Sequence, residues 1–362
     1  SYTTFKLTSR QHGDYVAIYD FCLVPPPPQQ VRAERIVSPP DGRCYYDTLE
    51  PLTIRVQNVG VDDIDSLTFI VAIDTQEVAF PRGSSYYQDT FKVYTTSPAL
   101  QPAMKMNITM PDSINLSHRV RYFFDVRVIL PGDLDTTDQH IDWHEILHPI
   151  PVEIPYVVDF DTPFEPGAAM DIAPNGDVEG VITSGTRPVD QGQTGPAIDH
   201  TFQTAQGKYF AMPRDAGMQP ALGDFVTLTS QCMDLSEAQA PELEFWYHMY
   251  GRHMGQLFVS VNDDYGWDDV DSIKGVQQGR QSAPWEIRQV DLTQYAGDYV
   301  KFRFTGIRGD GFASIIGLDD IFLFDLPSLD ATPAGLARPT DFIYSCYTDT
   351  QSVYATIRNN GA

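Results

Sequence analysis

Apolar positions along this chain recur at every second residue or in short β-branched runs, and the three-to-four spacing of an amphipathic helix is scarce. Leu52-Thr53-Ile54-Arg55-Val56-Gln57 alternates strictly and stops at Asn58-Val59-Gly60, and Leu67–Ile73 is a β-branched run ended by Asp74. Further strand-like segments follow at Phe91–Tyr94, Met104–Ile108 and Val120–Leu130. Later ones lie at Phe225–Leu228, Leu243–Met249, Leu257–Val261, Ile287–Leu292, Val300–Thr305 and Ile315–Leu323. Gly, Pro, Asp and Asn separate them at short intervals, a rhythm that suits hairpins and not helical crossovers. The pattern predicts an all-β chain built of tandem antiparallel β-sandwiches.

Proline punctuates this pattern. Pro25-Pro26-Pro27-Pro28 is expected to run as a stiff, extended polyproline segment, and a second Pro-rich connector spans residues 327–339. A softer seam lies at His148-Pro149-Ile150-Pro151. The division this predicts is a remnant at 1–24, a linker at 25–35, a domain at 36–155, a second domain at 157–326, a linker at 327–339 and an opening strand at 340–362.

The two ends of the chain also repeat each other. Cys44-Tyr45-Tyr46-Asp47-Thr48, a strand and Asn58-Val59-Gly60 recur as Cys346-Tyr347-Thr348-Asp349-Thr350, a strand and Asn359-Asn360-Gly361. Upstream, Val16–Phe21 matches Ile316–Ile321. Four features in one order predict a tandem array, in which residues 1–24 close a preceding domain and 340–362 open a following one. A lone terminal strand leaves its ladder groups unpaired. The expected partners are therefore adjacent repeats or further copies of the chain, completing each other's sheets in an elongated assembly.

Charge narrows the partner classes. The 362 residues carry 49 acids against 24 bases, a formal charge of −25, which repels phosphate backbones and argues against nucleic acid. No apolar run approaches the ~18 residues of a membrane helix. Ser1–Phe5 lacks the basic and apolar regions of an export signal, so either a signal has been removed or the chain starts within a longer protein. Nineteen Tyr, 27 Pro and 26 Gly suit secreted β-domains. Cys22, Cys44, Cys232 and Cys346 lack the spacing of a zinc knuckle, and their pairing stays open.

Residues 157–326 resemble a MAM domain. The resemblance rests on Thr194-Gly195-Pro196-Ala197-Ile198-Asp199-His200-Thr201, Gly207-Lys208-Tyr209-Phe210 and Leu243–Gly251. It continues through Gly255-Gln256-Leu257, Trp285, Val300–Phe304, Gly306-Ile307-Arg308-Gly309 and Leu318-Asp319-Asp320-Ile321. It implies an adhesion-type jelly roll, here without the family's set of disulfide cysteines. Residues 36–155 resemble a bacterial Ig-like adhesion module of the CARDB kind, carried by Leu52–Gly60 and Leu67–Ile73. Together the two resemble very large bacterial surface adhesins. They imply an exported, non-enzymatic, structural or adhesive protein of the cell surface, whose ligand the sequence does not name. The alternative is a pair of accessory modules of a large secreted hydrolase or protease.

Three groups carry candidate chemistry. His144-Glu145-Ile146-Leu147-His148 fits the zinc-protease pattern, which needs both histidines one helical turn apart, but Pro149 stops any helix there. A solvated turn between domains is the expected reading. His248, between Trp246, Tyr247 and Tyr250, is expected as a buried structural histidine. The MAM resemblance implies a cation, calcium by preference, at Asp161, Asp199 and Asp319. A weaker cation candidate is Asp133, Asp135 and Asp138, which lack the glycine and closing glutamate of an EF-hand.

Overall fold

The computed structural model describes residues 27–76, 85–94, 99–164, 167–185, 194–215, 221–311, 313–326, 331–338 and 354–359. Their regular structure is strand throughout, apart from one short 3-10 turn at Thr293–Tyr295. They fall into two compact units: residues up to Asp41 with Thr48–Leu116 and Val120–Ile146, and Gly42–Asp47 with Ser117–Arg119 and everything from Leu147 on.

The first unit contains β1 (Val31–Ser38), β2 (Glu50–Asn58), β3 (Ser66–Gln76), β4 (Ser85–Tyr94), β5 (Lys105–Ile114), β6 (Arg121–Ile129) and β7 (His140–Leu147). They form a three-stranded sheet in the order β1-β2-β5 and a four-stranded sheet in the order β4-β3-β6-β7. Read as strands A, B, C, C′, E, F and G, these are the ABE and C′CFG sheets of an Ig-like sandwich. Alternation explains the core: Leu52, Ile54 and Val56 of β2, Phe69, Val71 and Ile73 of β3, and Tyr122, Phe124, Val126 and Val128 of β6 are all buried.

The Asn58-Val59-Gly60 turn has a definite mechanism. Asn58 is fully buried, and its amide donates to the carbonyls of Asp62 and Leu100, both at 2.8 Å, while its Oδ1 accepts from Gly60 N at 2.9 Å. Gly60 passes so close to the polyproline segment that a Cβ there would stand 2.7 Å from the Pro28 carbonyl oxygen. The turn after β2 is thus sealed against the residues that enter β1.

The second unit holds β8 (Val152–Glu153), β9 (Tyr156–Val158), β10 (Asp171–Asn175), β11 (Val178–Ser184), β12 (Lys208–Asp215), β13 (Phe225–Thr229) and β14 (Met233–Asp234). It continues with β15 (Pro241–Met249), β16 (Gln256–Asn262), β17 (Trp267–Lys274), β18 (Glu286–Asp291), β19 (Tyr299–Ile307) and β20 (Ile316–Asp325). One sheet runs β10-β13-β19-β14-β8, with β16 and β17 continuing from β19; the other runs β11-β12-β20-β15-β18, with β9 beside β20. Phe210, Phe245, Phe302, Phe304, Leu243, Leu318 and Leu323 fill the core that both sheets face.

A disulfide joins Cys44 to Cys232 inside this unit, at sequence separation 188. Both cysteines are buried. The Cys44 loop is seated by Asp264, whose carboxylate accepts from Cys44 N at 2.8 Å and Tyr45 N at 3.1 Å, and by fully buried Tyr46. This settles the partner of two of the four cysteines; Cys22 and Cys346 lie outside the described residues.

Two stretches expected as linkers are partly strand. β1 begins at Val31, ahead of the boundary expected at residue 36, and β21 (Ala331–Arg338) occupies most of the stretch 327–339. Pro333 is accommodated in β21 because the register slips there, between Pro333 and Gly335. β21 pairs with β22 (Tyr354–Asn359) antiparallel, from Ala331 opposite Asn359 to Arg338 opposite Tyr354, with slips at Pro333/Gly335 and Leu336/Arg338. The β1–β2 hairpin runs from Val31 opposite Asn58 to Ser38 opposite Thr53, with slips at Ala33/Arg35 and Ile36/Ser38. The two hairpins carry their bulges at the same places. Residues 1–24 lie outside the described residues.

Candidate functional site

Asp161, Asp199 and Asp319 come from three separated segments and lie along one seam of the second unit. Asp161 follows β9 in a turn organised by Asp159, whose Oδ1 accepts from Asp161 N, Thr162 N and Thr162 Oγ1. Asp161 Oδ1 then accepts from Lys208 N at 3.1 Å, at the start of β12. Its Oδ2 is buried and has no hydrogen-bond partner.

Asp199 lies with its carboxylate against Gly207, eight residues further along the chain. It is fully buried, and its two oxygens accept from Phe202 N at 2.6 Å and Thr204 N at 2.7 Å, which curls the loop leading to β12 around its carboxylate. Gly207 must be glycine here: a Cβ would stand 2.1 Å from the carboxylate carbon of Asp199.

Asp319 is also fully buried, on β20, and accepts from His200 N at 2.8 Å and Asp320 N at 2.9 Å. Burial is the main cause that pushes its carboxyl up to about 8, with the negative charges of Asp320 and Asp199 acting in the same direction. Asp320, at φ 42°, turns its carboxylate to Thr201 Oγ1 at 2.8 Å and to His200 Nδ1. The His200 ring stacks on Trp246 at 3.8 Å, and Trp285 closes over this layer by donating Nε1–H to the Ile198 carbonyl at 3.0 Å.

Chemically, the seam offers buried carboxylate oxygens, one of them with no donor, and a carboxyl whose ionisation the protein resists. Both are features that a hard cation with oxygen ligands would relieve. Asp161, Asp199 and Asp319 do not bring one ligand atom each within 4.8 Å of the other two; among the described residues, the group that does is Asp125, His140 and Asp142.

The acidic loop between β6 and β7 gives its oxygens to the backbone. Asp133 accepts from Val31 N at 2.9 Å and Asp135 N at 3.0 Å, and Asp135 accepts from Thr137 N at 3.1 Å and from its hydroxyl. Asp138 Oδ2 pairs with Arg32 Nε at 3.4 Å, while its Oδ1 is buried without a partner. Burial raises the Asp138 carboxyl above its ordinary value. The loop therefore reads as a run of Asx turns that pins β1 to the far end of the sandwich.

His144-Glu145-Ile146-Leu147-His148 is neither a helix nor a solvated turn. It starts within β7, where residues four apart are separated by ~13 Å along the strand, so its histidines cannot share one ion as a helical pair does. Trp143, at φ 54°, kinks the strand; the half-buried His144 ring meets Phe124, and Glu145 pairs with Arg121. His148 is buried edge-on to Tyr45 and Tyr46. His248 is fully buried against Trp285, and burial pushes its imidazole down to about 4. It is a neutral core histidine at ordinary pH.

Residues 181–327 match the MAM domain, meprin/A5/mu. The MAM match takes in Asp199, His200, Trp246, Trp285, Asp319 and Asp320; Asp161 precedes it, yet β9 just upstream pairs with β20 in the same sheet. This chain is 27% identical over 177 residues to mouse MAM domain-containing glycosylphosphatidylinositol anchor protein 1, covering 48% of the chain and 18% of that protein. It is 29% identical over 150 residues to rat Neuropilin-1, covering 41% of the chain and 15% of that protein. The chain thus spans less than a fifth of these curated relatives. Among solved structures, the K1 cleaved adhesin domain of Lys-gingipain from Porphyromonas gingivalis W83 is 16% identical, with TM-score 0.31, covering 47% of this chain and 97% of that one.

Sequence reasoning missed two features. Asp264 as the seat of the Cys44 loop lies 220 residues from Cys44 and leaves no local signal. The His140-x-Asp142 pair is legible only once residues 140–147 are read as a strand, because two residues apart is same-face spacing there and nowhere else.

Proposed function

We propose that this chain is a repeat-unit segment of a non-enzymatic, extracellular adhesive protein, in which Ig-like and MAM-like sandwiches alternate. The observation that carries this reading is the recurrence of one doubly bulged hairpin, β1–β2 and β21–β22, on either side of the segment that matches the MAM domain. Bulge positions are set by local sequence and by the neighbouring strands, so two coincident bulges in one register support descent from a repeated module. The Cys44–Cys232 disulfide supports an oxidising, extracellular setting. Among the described residues, no helix is long and apolar enough to cross a membrane.

In this reading Asp161, Asp199 and Asp319 hold a calcium ion that ties the start of the MAM-like unit to β12 and β20. Asp161 Oδ2 supplies the oxygen with no other partner, and ionised Asp319 gains the counter-charge it lacks. Beads coated with the chain test adhesion directly. Clumping, or capture of cells, is expected in calcium and is lost in EDTA; beads that stay dispersed and cell-free in both conditions would remove the adhesive reading.

A further inference from the structure

We propose that Asp125, His140 and Asp142 form a binding site for a divalent transition ion of the zinc type, built on the outer face of the first unit.

Strand geometry makes the triad. Tyr122, Phe124, Val126 and Val128 of β6 point into the core, so Asp125 projects from the opposite face. On β7, His140 and Asp142 are two residues apart and share a face. The Val128 amide donates to the Gln139 carbonyl at 2.8 Å just ahead of β7, which draws the two strands together beside the three side chains. One ligand atom from each of the three lies within 4.8 Å of the other two.

His140 Nε2 points to a ligand independently. This nitrogen is shielded from solvent and lies 2.9 Å from Asp125 Oδ1, but out of line for a hydrogen bond, so it has no hydrogen-bond partner. An ion between them would give the nitrogen its partner. Ligands ~2.1 Å from a tetrahedral ion stand ~3.4 Å apart, so small rotamer changes in partly exposed side chains suffice. His140 and Asp125 have that freedom, at 30% and 38% side-chain exposure.

The donor set selects the ion class. One imidazole nitrogen and two carboxylates suit zinc, cobalt or nickel, whereas calcium takes six to eight oxygens. Three protein ligands leave a fourth position for water or a partner's side chain. Among the described residues β7 ends the sheet order β4-β3-β6-β7, so the ion would clamp an edge strand. Arg127 opposes binding, since its Nε stands 3.5 Å from the same Asp125 Oδ1.

The test is calorimetric titration of zinc chloride into the tag-free full chain after chelator treatment, with cobalt absorption in parallel. The expected result is one ion per chain, retained in excess calcium, with cobalt bands that report nitrogen coordination. His140→Gln and Asp142→Asn should each weaken uptake at least ~10-fold with an unchanged circular dichroism spectrum. His144→Gln should leave it unaltered, and Arg127→Ala should tighten it about 2–5-fold. On the unmodified chain, zinc should protect His140 from acylation by diethylpyrocarbonate. No saturable uptake, or uptake that survives both His140→Gln and Asp142→Asn, would overturn the proposal.

Discussion

Replacing Cys44 and Cys232 by serine removes the covalent tie that seats the Gly42–Asp47 loop in the second unit. At a sequence separation of 188, the chain-entropy account puts the constraint on the unfolded chain at ~5 kcal/mol. Engineered and native bridges commonly deliver less, because unfolded chains retain structure, so about 2–5 kcal/mol is expected. The loop keeps its other anchors: Asp264 on two amides, Lys301 Nζ on the Gly42 carbonyl at 2.8 Å, and buried Tyr46. The variant should therefore fold, but melt lower by about 5–15 °C for a unit of this size. The assay is thermal and urea unfolding in a Cys22→Ser, Cys346→Ser background, with thiol titration of the parent. Two titratable thiols in that parent, or a loss under ~1 kcal/mol, would refute the reasoning.

Two further outcomes follow from buried polar groups. Burial pushes the Asp319 carboxyl up to about 8 in the folded chain, well above the usual carboxylate range, so folding favours its neutral form. Its stabilising contribution is full below about pH 4 and is lost as pH rises towards 8, a change on the order of 5 kcal/mol in chelator. Asp319→Asn should flatten that slope, and calcium should raise the melting temperature at pH 8; a slope unchanged in Asp319→Asn, or no calcium effect, would contradict this. Asn58→Ala removes three hydrogen bonds; the Leu100 carbonyl still accepts from Ile64 N and the Gly60 amide still donates to the Gln30 carbonyl, while the Asp62 carbonyl loses the Asn58 amide, so the change should cost about 1–3 kcal/mol in urea unfolding. A cost below ~0.5 kcal/mol would show that the turn does not depend on that side chain.

The strands were legible where one face is buried and the other is wet. Leu52–Gln57, Leu67–Ile73 and Leu243–Met249 alternate or run apolar because the sheet imposes that pattern, and each emerged as a strand. Proline misled where its missing N–H cost nothing: Pro333 sits at a bulge, so β21 continues through a stretch that reads as linker. Histidine spacing misled for the converse reason. His144 and His148 are one helical turn apart only in a helix, and residues 140–147 pair with β6 instead. Asp199 and Asp319 could be named from local motifs, but their burial and Asp161's unpartnered oxygen depend on contacts from residues 200–208, which no local window contains. The Cys44–Cys232 pairing is non-local in the same sense.

Negative-stain microscopy of the native polypeptide, released from its source without proteolysis, tests the repeat-unit account most directly. Long particles with regularly spaced, sandwich-sized beads, paired with a denatured mass far above 40.6 kDa or with chains of 40.6 kDa subunits, are the expected result. Compact monomers of 40.6 kDa that form no higher order in calcium would contradict it.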